Sequence, residues 1–343
     1  NIEDVVKNVR VVGAGGVMWQ NECPAGHKSA FGRVSTGAVD LTQLAIGSEG
    51  SFGIIVSAVI KIWPIAECKE YEGILLPNFE SGLRFVRDVA RMGRLKPASV
   101  RLLDKEQFRL GQALRSQASG FEWAKEKAVK ALGSLTRAFD NDAAVCATVT
   151  FEGSAEEVRL QKRLVYKYAG RHGGLRAGPK VGRAGYDMTF AIAYLRDFAM
   201  TYGFLAESFE TFVPWSKLSE LVVATKRRIR QEHAGRALPG EPLVSSRITQ
   251  LYDEGACVYF YYCMNFQNVP HPSRVFAEIE AAARETILDM GGSLSHHHGV
   301  GKLRAPFVER INSKAVETAI AEVKRGVDPS NIFGARNGVF SRR

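Results

Sequence analysis

The chain has 343 residues, 45% hydrophobic and 24% charged, with a formal net charge of +10. That make-up is of an ordinary soluble globular protein with room for one large core or two moderate ones. It excludes a membrane-spanning helix, because no apolar run approaches the ~20 residues needed, and a disulfide framework, because five cysteines (Cys23, Cys68, Cys146, Cys257, Cys263) lack CxxC spacing and are odd in number. The positive charge favours anionic partners such as phosphorylated substrates or acidic lipid surfaces. Nucleic acid is disfavoured, since the basic residues are scattered and the densest run, Lys226 to Arg230, reads as the wet face of a helix. The chain opens on Asn1 with residues that already read as strand, and ends on Ser341-Arg342-Arg343 without a Ser-Lys-Leu signal. The expectation is a C-terminal portion of something longer.

In chain order, residues 4–18 carry the β-branched density of a strand, turned by Gly13 to Gly16. Gly47-Ser48-Glu49-Gly50-Ser51-Phe52-Gly53 then precedes an apolar strand from Ile54 to Ile62, expected to be buried and stopped by Pro64. Glycines so placed let a backbone approach a flat or phosphate-bearing ligand, or simply make a tight turn. Beyond Pro64 strands and helices alternate. Tyr71–Leu76 is a strand, and Phe79, Leu83, Val86 and Ala90 form the apolar face of a helix. Residues 97–103 form a strand, followed to about residue 140 by a charged segment expected to be mobile. Ala144–Phe151 is a strand, with Ser154 capping a helix to about Tyr168. Gly170 to Gly185 reads as loop, and Ser216 as the cap of the next helix. Residues 245–249 and 257–265 form a hairpin whose second strand sets Tyr259 and Tyr261 on one face. Pro272–Leu288 and a segment near 316–323 are helices.

The stretch Gly291-Gly292-Ser293-Leu294-Ser295-His296-His297-His298-Gly299-Val300-Gly301-Lys302 holds three of the seven histidines. A short strand entering a loop is expected, with His296 and His298 on one face and His297 on the other. An expression tag sits at a terminus, whereas some forty residues follow here. Adjacent histidines rarely converge on one metal ion, and no cysteine or acid is spaced nearby as zinc sites show. A Walker loop needs glycine where His296 stands and Ser or Thr where Leu303 stands. An active-site cluster that is neither tag nor metal cage is the reading these residues favour.

Gly47-Ser48-Glu49-Gly50 with Gly53, Arg101 in Pro97-Ala98-Ser99-Val100-Arg101, and Glu207-Ser208-Phe209-Glu210-Thr211 resemble flavin enzymes of the vanillyl-alcohol-oxidase type. Ser293 through Arg304, with Gly255-Ala256-Cys257-Val258-Tyr259-Phe260-Tyr261 and Asn331-Ile332-Phe333-Gly334, is similar to the alkyldihydroxyacetonephosphate synthase family of ether-lipid enzymes, over nearly the whole chain. The resemblance implies an α+β fold in three parts. These are the C-terminal remnant of a vanillyl-alcohol-oxidase-type FAD-binding domain (1–65), a mixed α/β cap or substrate domain (66–290), and a His-triplet loop with a C-terminal helical segment returning to the FAD domain (291–343).

It further implies a transferase that exchanges the acyl chain of acyl-dihydroxyacetone phosphate for a long-chain fatty alcohol, through an adduct on N5 of non-covalent FAD and without net oxidation. By resemblance Tyr259 is the proton donor and acceptor, with His296, His297 and His298 able to stabilise its phenolate. Arg196 binds substrate, and Arg101 and Ala335-Arg336-Asn337-Gly338-Val339 matter for activity. Glu49, Gly50, Ser51, Phe52, Gly53, Ile54 and Ile55 match a flavin-binding segment. From the residues alone, Arg196 also reads as a surface partner of Asp197, and Arg101 as one arm of a buried ion pair.

A homodimer on the lumenal side of a peroxisomal or glycosome-like membrane is also implied, serving plasmalogen and other ether-lipid synthesis, with no metal. Three departures stand out. Ser51-Phe52 replaces the family's Thr-Leu, adding bulk beside the flavin, and the tail continues past the usual terminus. The family's earlier flavin-binding loops are not in these 343 residues. A 2-hydroxy-acid oxidase or dehydrogenase is the alternative within flavoenzymes, and a catalytically silent lipid- or partner-binding fragment is the alternative outside them.

Overall fold

The computed structural model describes residues 2–16, 18–19, 40–114, 143–334 and 336–340. They pack as two bodies, Asn1–Ile65 with His297–Arg343, and Ala66–His296.

In the smaller body α1 (Ile2–Val5) leads into β1 (Val6–Val12), β2 (Met18–Trp19), α2 (Leu41–Ala45) and β3 (Ile54–Ile60). The single strand expected over 4–18 is therefore two short strands preceded by a helical turn. The sheet order is β2-β1-β3, all antiparallel. Val6, Val9, Val11 and Ala45 form its core, and Asp40 caps α2 by accepting the Thr42 amide at 2.9 Å. The burial expected for β3 is not found: Ile54, Ile55, Val56 and Ile60 are 48–59% exposed. An apolar run is buried only where layers cover both faces of its strand, and none does so among the described residues.

The larger body contains β4 (Cys68–Leu76), α3 (Phe79–Ala90), β5 (Ser99–Leu103), α4 (Lys105–Ala113), β6 (Val145–Gly153), α5 (Ala155–Arg171), β7 (Leu175–Gly178), α6 (Pro179–Thr201), β8 (Phe204–Pro214), α7 (Leu218–Gly235), β9 (Leu243–Leu251), β10 (Gly255–Asn265) and α8 (Pro272–Asp289). Helix α4 occupies the start of the segment expected to be mobile; 115–142 lie outside the described residues. The strands form one sheet in the order β7-β4-β6-β5-β9-β10-β8, with every pair antiparallel. Ser154 and Glu157 close a capping box on α5. The next cap differs from expectation: α7 starts after Lys217, not Ser216, and has no side-chain cap.

Strand alternation gives the sheet two unlike faces. One carries Ile74, Val100, Leu102, Val149, Phe151, Phe209, Val258, Phe260 and Tyr262 into the main core with α3, α5, α7 and α8. The other carries Arg101, Arg247, Tyr259, Tyr261 and Glu210 and is crossed by α6. In place of the loop expected over Gly170–Gly185 stand the end of α5, strand β7 and the start of this helix, which has Pro179 in its first turn. Its glycines are packing points rather than turns. A Cβ on Gly182 would stand 2.5 Å from the Glu72 backbone, and one on Gly185 2.5 Å from Thr148.

After His298 the chain adds α9 (Val308–Ile311) and α10 (Lys314–Val327) to the smaller body. Lys324 of α10 is 5% exposed. Its ammonium donates to the carbonyls of Ser51 (2.7 Å) and Phe333 (2.5 Å) and pairs with Asp328, so three donors meet three acceptors.

Candidate active site

Tyr259 sits mid-strand on the polar face of the larger body. Its neighbour on β8 is Glu210 and its neighbour on β9 is Arg247. An acid, a phenol and a guanidinium thus stand in one row across three strands, spaced by the ~4.8 Å between strands. The Arg247 guanidinium lies 5.7 Å from the Tyr259 ring and 5.4 Å from the Tyr261 ring, and the two rings stack with centroids 6.0 Å apart. Burial, with help from Cys257, Tyr261 and Glu210, pushes the Tyr259 hydroxyl up to about 12 against the opposing pull of Arg247. In this setting Tyr259 is a neutral phenol, ready to donate a proton. To act as a base it needs further positive charge beside it.

Arg101 lies on β5, on the same face, and donates to the Thr189 hydroxyl of α6. Burial and then Arg247 weaken its hold on its proton. The buried ion pair open to it from sequence is not formed with any described carboxylate. Arg196, on α6, is exposed and pairs with Glu207 at 2.9 Å and Asp197 at 3.5 Å.

The histidine stretch forms bends and turns, not the expected strand, because Ser293–His296 is tied down side chain by side chain. Ser293 exchanges bonds with the free edge of β8, its amide donating to the Phe212 carbonyl and its hydroxyl accepting the Phe212 amide, both at 2.8 Å. Arg284 of α8, 1% exposed, donates to the carbonyls of Glu210 (2.7 Å) and Leu294 (3.0 Å). The Glu210 carboxylate, fully buried, accepts the Ser295 hydroxyl at 2.7 Å and the His296 amide at 2.6 Å. His296 Nε2 is 2.8 Å from the Tyr252 hydroxyl, and its ring stacks near Phe212. Ligand atoms of Glu210, Cys257 and His296 lie within 4.8 Å of one another. Burial pushes the Cys257 thiol up to about 12, however, and both Glu210 oxygens already hold hydrogen bonds.

His297 and His298 belong to the smaller body, where their rings meet edge to face at 4.7 Å. There the Glu49 carboxylate accepts the Val300 and Gly301 amides at 2.5 and 2.7 Å. In the matched flavin segment Ser51 and Phe52 are buried. Phe52 packs edge-on against Phe340, centroids 6.2 Å apart. Gly50 and Ile54 are exposed. Of Ala335–Val339, Ala335 lies outside the described residues; the Gly338 amide donates to the Gly301 carbonyl at 2.9 Å.

Sequence reasoning singled out neither Arg247, Tyr252, Arg284 nor Lys324. Arg247 carried a readable signal, an arginine amid the strand residues Ser245-Ser246-Arg247-Ile248-Thr249; the other three depend on long-range contacts.

The alkyldihydroxyacetonephosphate synthase of Caenorhabditis elegans is 40% identical over 98% of this chain and 55% of its own length. The mitochondrial D-lactate dehydrogenase [cytochrome] of Arabidopsis thaliana is 25% identical over 88% of this chain and 47% of its own. A solved alkyldihydroxyacetonephosphate synthase superposes with a TM-score of 0.75 at 22% identity, covering 97% of this chain and 54% of that one. The chain thus spans about half the length of the curated relatives it matches. The family model for FAD linked oxidases, C-terminal domain, matches residues 65–337. By that match, and with the α+β architecture described above, the chain belongs to the family of FAD linked oxidases, C-terminal domain.

Proposed function

We propose that this chain carries the proton-transfer and substrate-binding portion of an alkyldihydroxyacetonephosphate synthase, which exchanges the acyl chain of acyl-dihydroxyacetone phosphate for a long-chain alcohol. The observation that carries the reading is the row Glu210–Tyr259–Arg247, a phenol set between an acid and a cation on a half-covered polar face. The 40% identity to the nematode enzyme supports it over the hydroxy-acid alternative, whose relative matches at 25%.

Non-covalent FAD belongs to this reading, and residues of the smaller body fit it. A Cβ on Gly47 or Gly50 would meet nothing within 4 Å, so the backbone there is open to a ligand. The adjoining side chains Ile54 and Ile55 are exposed and apolar. Glu49–Ile55 would hold the group through Gly50, Ile54 and Ile55, with Ser51, Phe52 and Gly53 shaping the loop from beneath. FAD, when bound, supplies the electrophilic and nucleophilic centre at which one bond to carbon is exchanged for another.

The chain's own residues move the protons. Tyr259 in its neutral form donates to the departing carboxylate, releasing fatty acid. The resulting phenolate, steadied by Arg247, then takes the proton of the entering alcohol. The phenol is restored and no net redox change occurs, as a single acid–base group working in both directions requires. Arg196 contributes to substrate binding in this reading once freed from Glu207.

Peripheral contact with a lipid surface also belongs here. The face of α6 turned away from the sheet presents Phe190, Tyr194 and Phe198, 61–77% exposed, on a chain of net charge +10. No helix among the described residues is long and apolar enough to cross a membrane. A homodimer on the lumenal face of a peroxisomal or glycosome-like membrane completes the proposal.

The test supplies the flavin-loaded protein with acyl-dihydroxyacetone phosphate and a labelled long-chain alcohol in the absence of oxygen. Labelled ether lipid with equimolar fatty acid is expected, and Tyr259→Phe should abolish it. Flavin bleaching by a 2-hydroxy acid without ether product would establish the dehydrogenase instead.

A further inference from the structure

Beside the row Glu210–Tyr259–Arg247 the same three strands set a second one, Phe212–Cys257–Gln250. The His296 ring lies against this second row and is held from three sides. Its amide donates to the Glu210 carboxylate at 2.6 Å. Its face stacks near Phe212, with planes 25° and centroids 6.5 Å apart. Its Nε2 is 2.8 Å from the Tyr252 hydroxyl. Tyr252 is itself pinned, at the turn of the β9–β10 hairpin. Its amide donates to the Gly255 carbonyl at 2.9 Å, its carbonyl accepts the Trp215 indole N–H at 3.0 Å, and its ring meets Phe212 edge-on. Such a hold fixes the plane of the imidazole. Which nitrogen carries the proton depends on the bond the ring makes at Nε2.

The Tyr252 hydroxyl settles it, because the same oxygen lies 3.3 Å from Gln250 Oε1. A hydroxyl has one proton to give, and an amide oxygen can only accept. An imidazole nitrogen can do either. One arrangement alone makes hydrogen bonds of both contacts: His296 Nε2–H donates to the Tyr252 hydroxyl, and that hydroxyl donates to Gln250 Oε1. With Tyr252 donating to Nε2 instead, two oxygens would face each other without a proton between them. In the first arrangement the neutral ring carries its lone pair on Nδ1. A proton arriving at Nδ1 leaves the bond to Tyr252 as it was, so His296 can take up and return a proton without its ring turning over. A third group that orients an imidazole and sets its tautomer is what acid–base sites built on histidine require.

We propose that Tyr252, backed by Gln250, is a positioning residue that holds His296 as its Nε2–H tautomer, so that Nδ1 is the nitrogen exchanging protons beside the Tyr259 row. The proposal rests on the reading that the acyl-for-alkyl exchange runs at that row.

The test reads the tautomer directly, by nitrogen NMR of the full chain labelled with ¹⁵N-histidine. Spectra are taken at about pH 8, above the ~6.5 at which imidazoles ordinarily titrate, and His296 is assigned with a His296→Asn variant. The parent should show Nε2 protonated and Nδ1 bare. Gln250→Leu removes the acceptor, so Tyr252 turns its proton onto Nε2 and the tautomer should reverse. Gln250→Glu keeps an acceptor there and should keep the parent tautomer. Residue 250 is exposed, so these two variants serve where Tyr252→Phe disturbs the hairpin. A parent ring protonated on Nδ1 overturns the proposal, as does a tautomer that Gln250→Leu leaves unchanged. In the exchange assay Tyr252→Phe should lower kcat about tenfold or more and move KM less than about twofold. The assay also separates the two readings. A tautomer that reverses in Gln250→Leu, in a chain that exchanges no acyl group, leaves Tyr252 setting His296 and removes the synthase. Exchange by Tyr252→Phe at the parent kcat removes the positioning role and leaves the synthase.

Discussion

Glu49 holds Gly301: its carboxylate accepts that residue's amide at 2.7 Å and the neighbouring Val300 amide at 2.5 Å. Two consecutive amides around one anion form a nest, and it follows directly after the histidine triplet. Glu49 adopts a left-handed conformation to reach it, at φ 52°. Glu49→Ala should destabilise the chain by about 1 kcal/mol through the lost charged acceptor. Glu49→Gly loses the same bonds but sheds the backbone strain, so it should be the more stable of the two, by up to ~1 kcal/mol. Urea denaturation of both variants checks the ranking.

Lys324 and Asp328 join the C-terminal segment to the carbonyl of Ser51. Burial raises the Asp328 carboxyl, but the Lys324 ammonium and the Ile332 and Phe333 amides outweigh it and hold the group below its usual range. Removing one member of so buried a pair, as in Lys324→Met, should cost about 3–5 kcal/mol. A carboxylate with a depressed folded pKa stabilises the fold above its unfolded value, near ~3.9, and loses that contribution as pH falls through the folded value. Asp328→Asn should therefore be less stable at neutral pH yet lose less further stability on acidification. Chemical denaturation at pH 7 and pH 3 measures both.

Helix α6 rests on glycine. A Cβ at residue 182 would stand 2.5 Å from the Glu72 backbone nitrogen and carbonyl carbon, which cannot yield as a side chain can. Gly182→Ala should cost about 1–3 kcal/mol as the helix lifts from β4. Thermal unfolding would show it, and an unchanged midpoint would mean that the helix does not sit so close.

Cys257 should be the slowest of the described thiols to react. It is fully buried, and burial pushes it up to about 12, so at pH 8 roughly one thiol in 10⁴ is ionised. Iodoacetamide labelling followed by mass spectrometry should find it modified at less than about a tenth of the rate of half-buried Cys68. Equal rates would contradict the buried setting.

Local pattern carried much of this architecture. The hairpin of β9 and β10, the cap at Ser154 and the apolar face of α3 were legible because alternation, capping and helical period act within a few residues. Errors arose where glycine had two uses. Around Gly182 and Gly185 it serves a close helix–sheet approach, which is invisible without the sheet. Ile54–Ile60 misled in the opposite sense, since apolar composition does not say whether a second layer is present. At the candidate site Tyr259 and the histidines stood out by type and clustering. Arg247 and Glu210 become meaningful only when β8, β9 and β10 align, and Tyr252 only when the chain brings residue 296 back beside it.

The unbroken pairing of β8 with β10, running from Gly255–Pro214 to Asn265–Phe204 without a register shift, makes the chemistry of this strand a matter of odd and even numbers. Tyr259, Tyr261 and Cys263 face the polar side, while Val258, Phe260, Tyr262 and Met264 are buried in the core. A point substitution changes one side chain. Loss or gain of a single residue before Tyr259 would exchange the two sets, putting Phe260 in the reactive row and the phenol into the hydrophobic interior. A substitution in this strand is thus felt at one position, whereas single-residue insertions and deletions are closed to it unless a bulge restores the count. The β9 partner shows such a device, where pairing steps from Cys257–Gln250 to Val258–Ile248 and passes over Thr249.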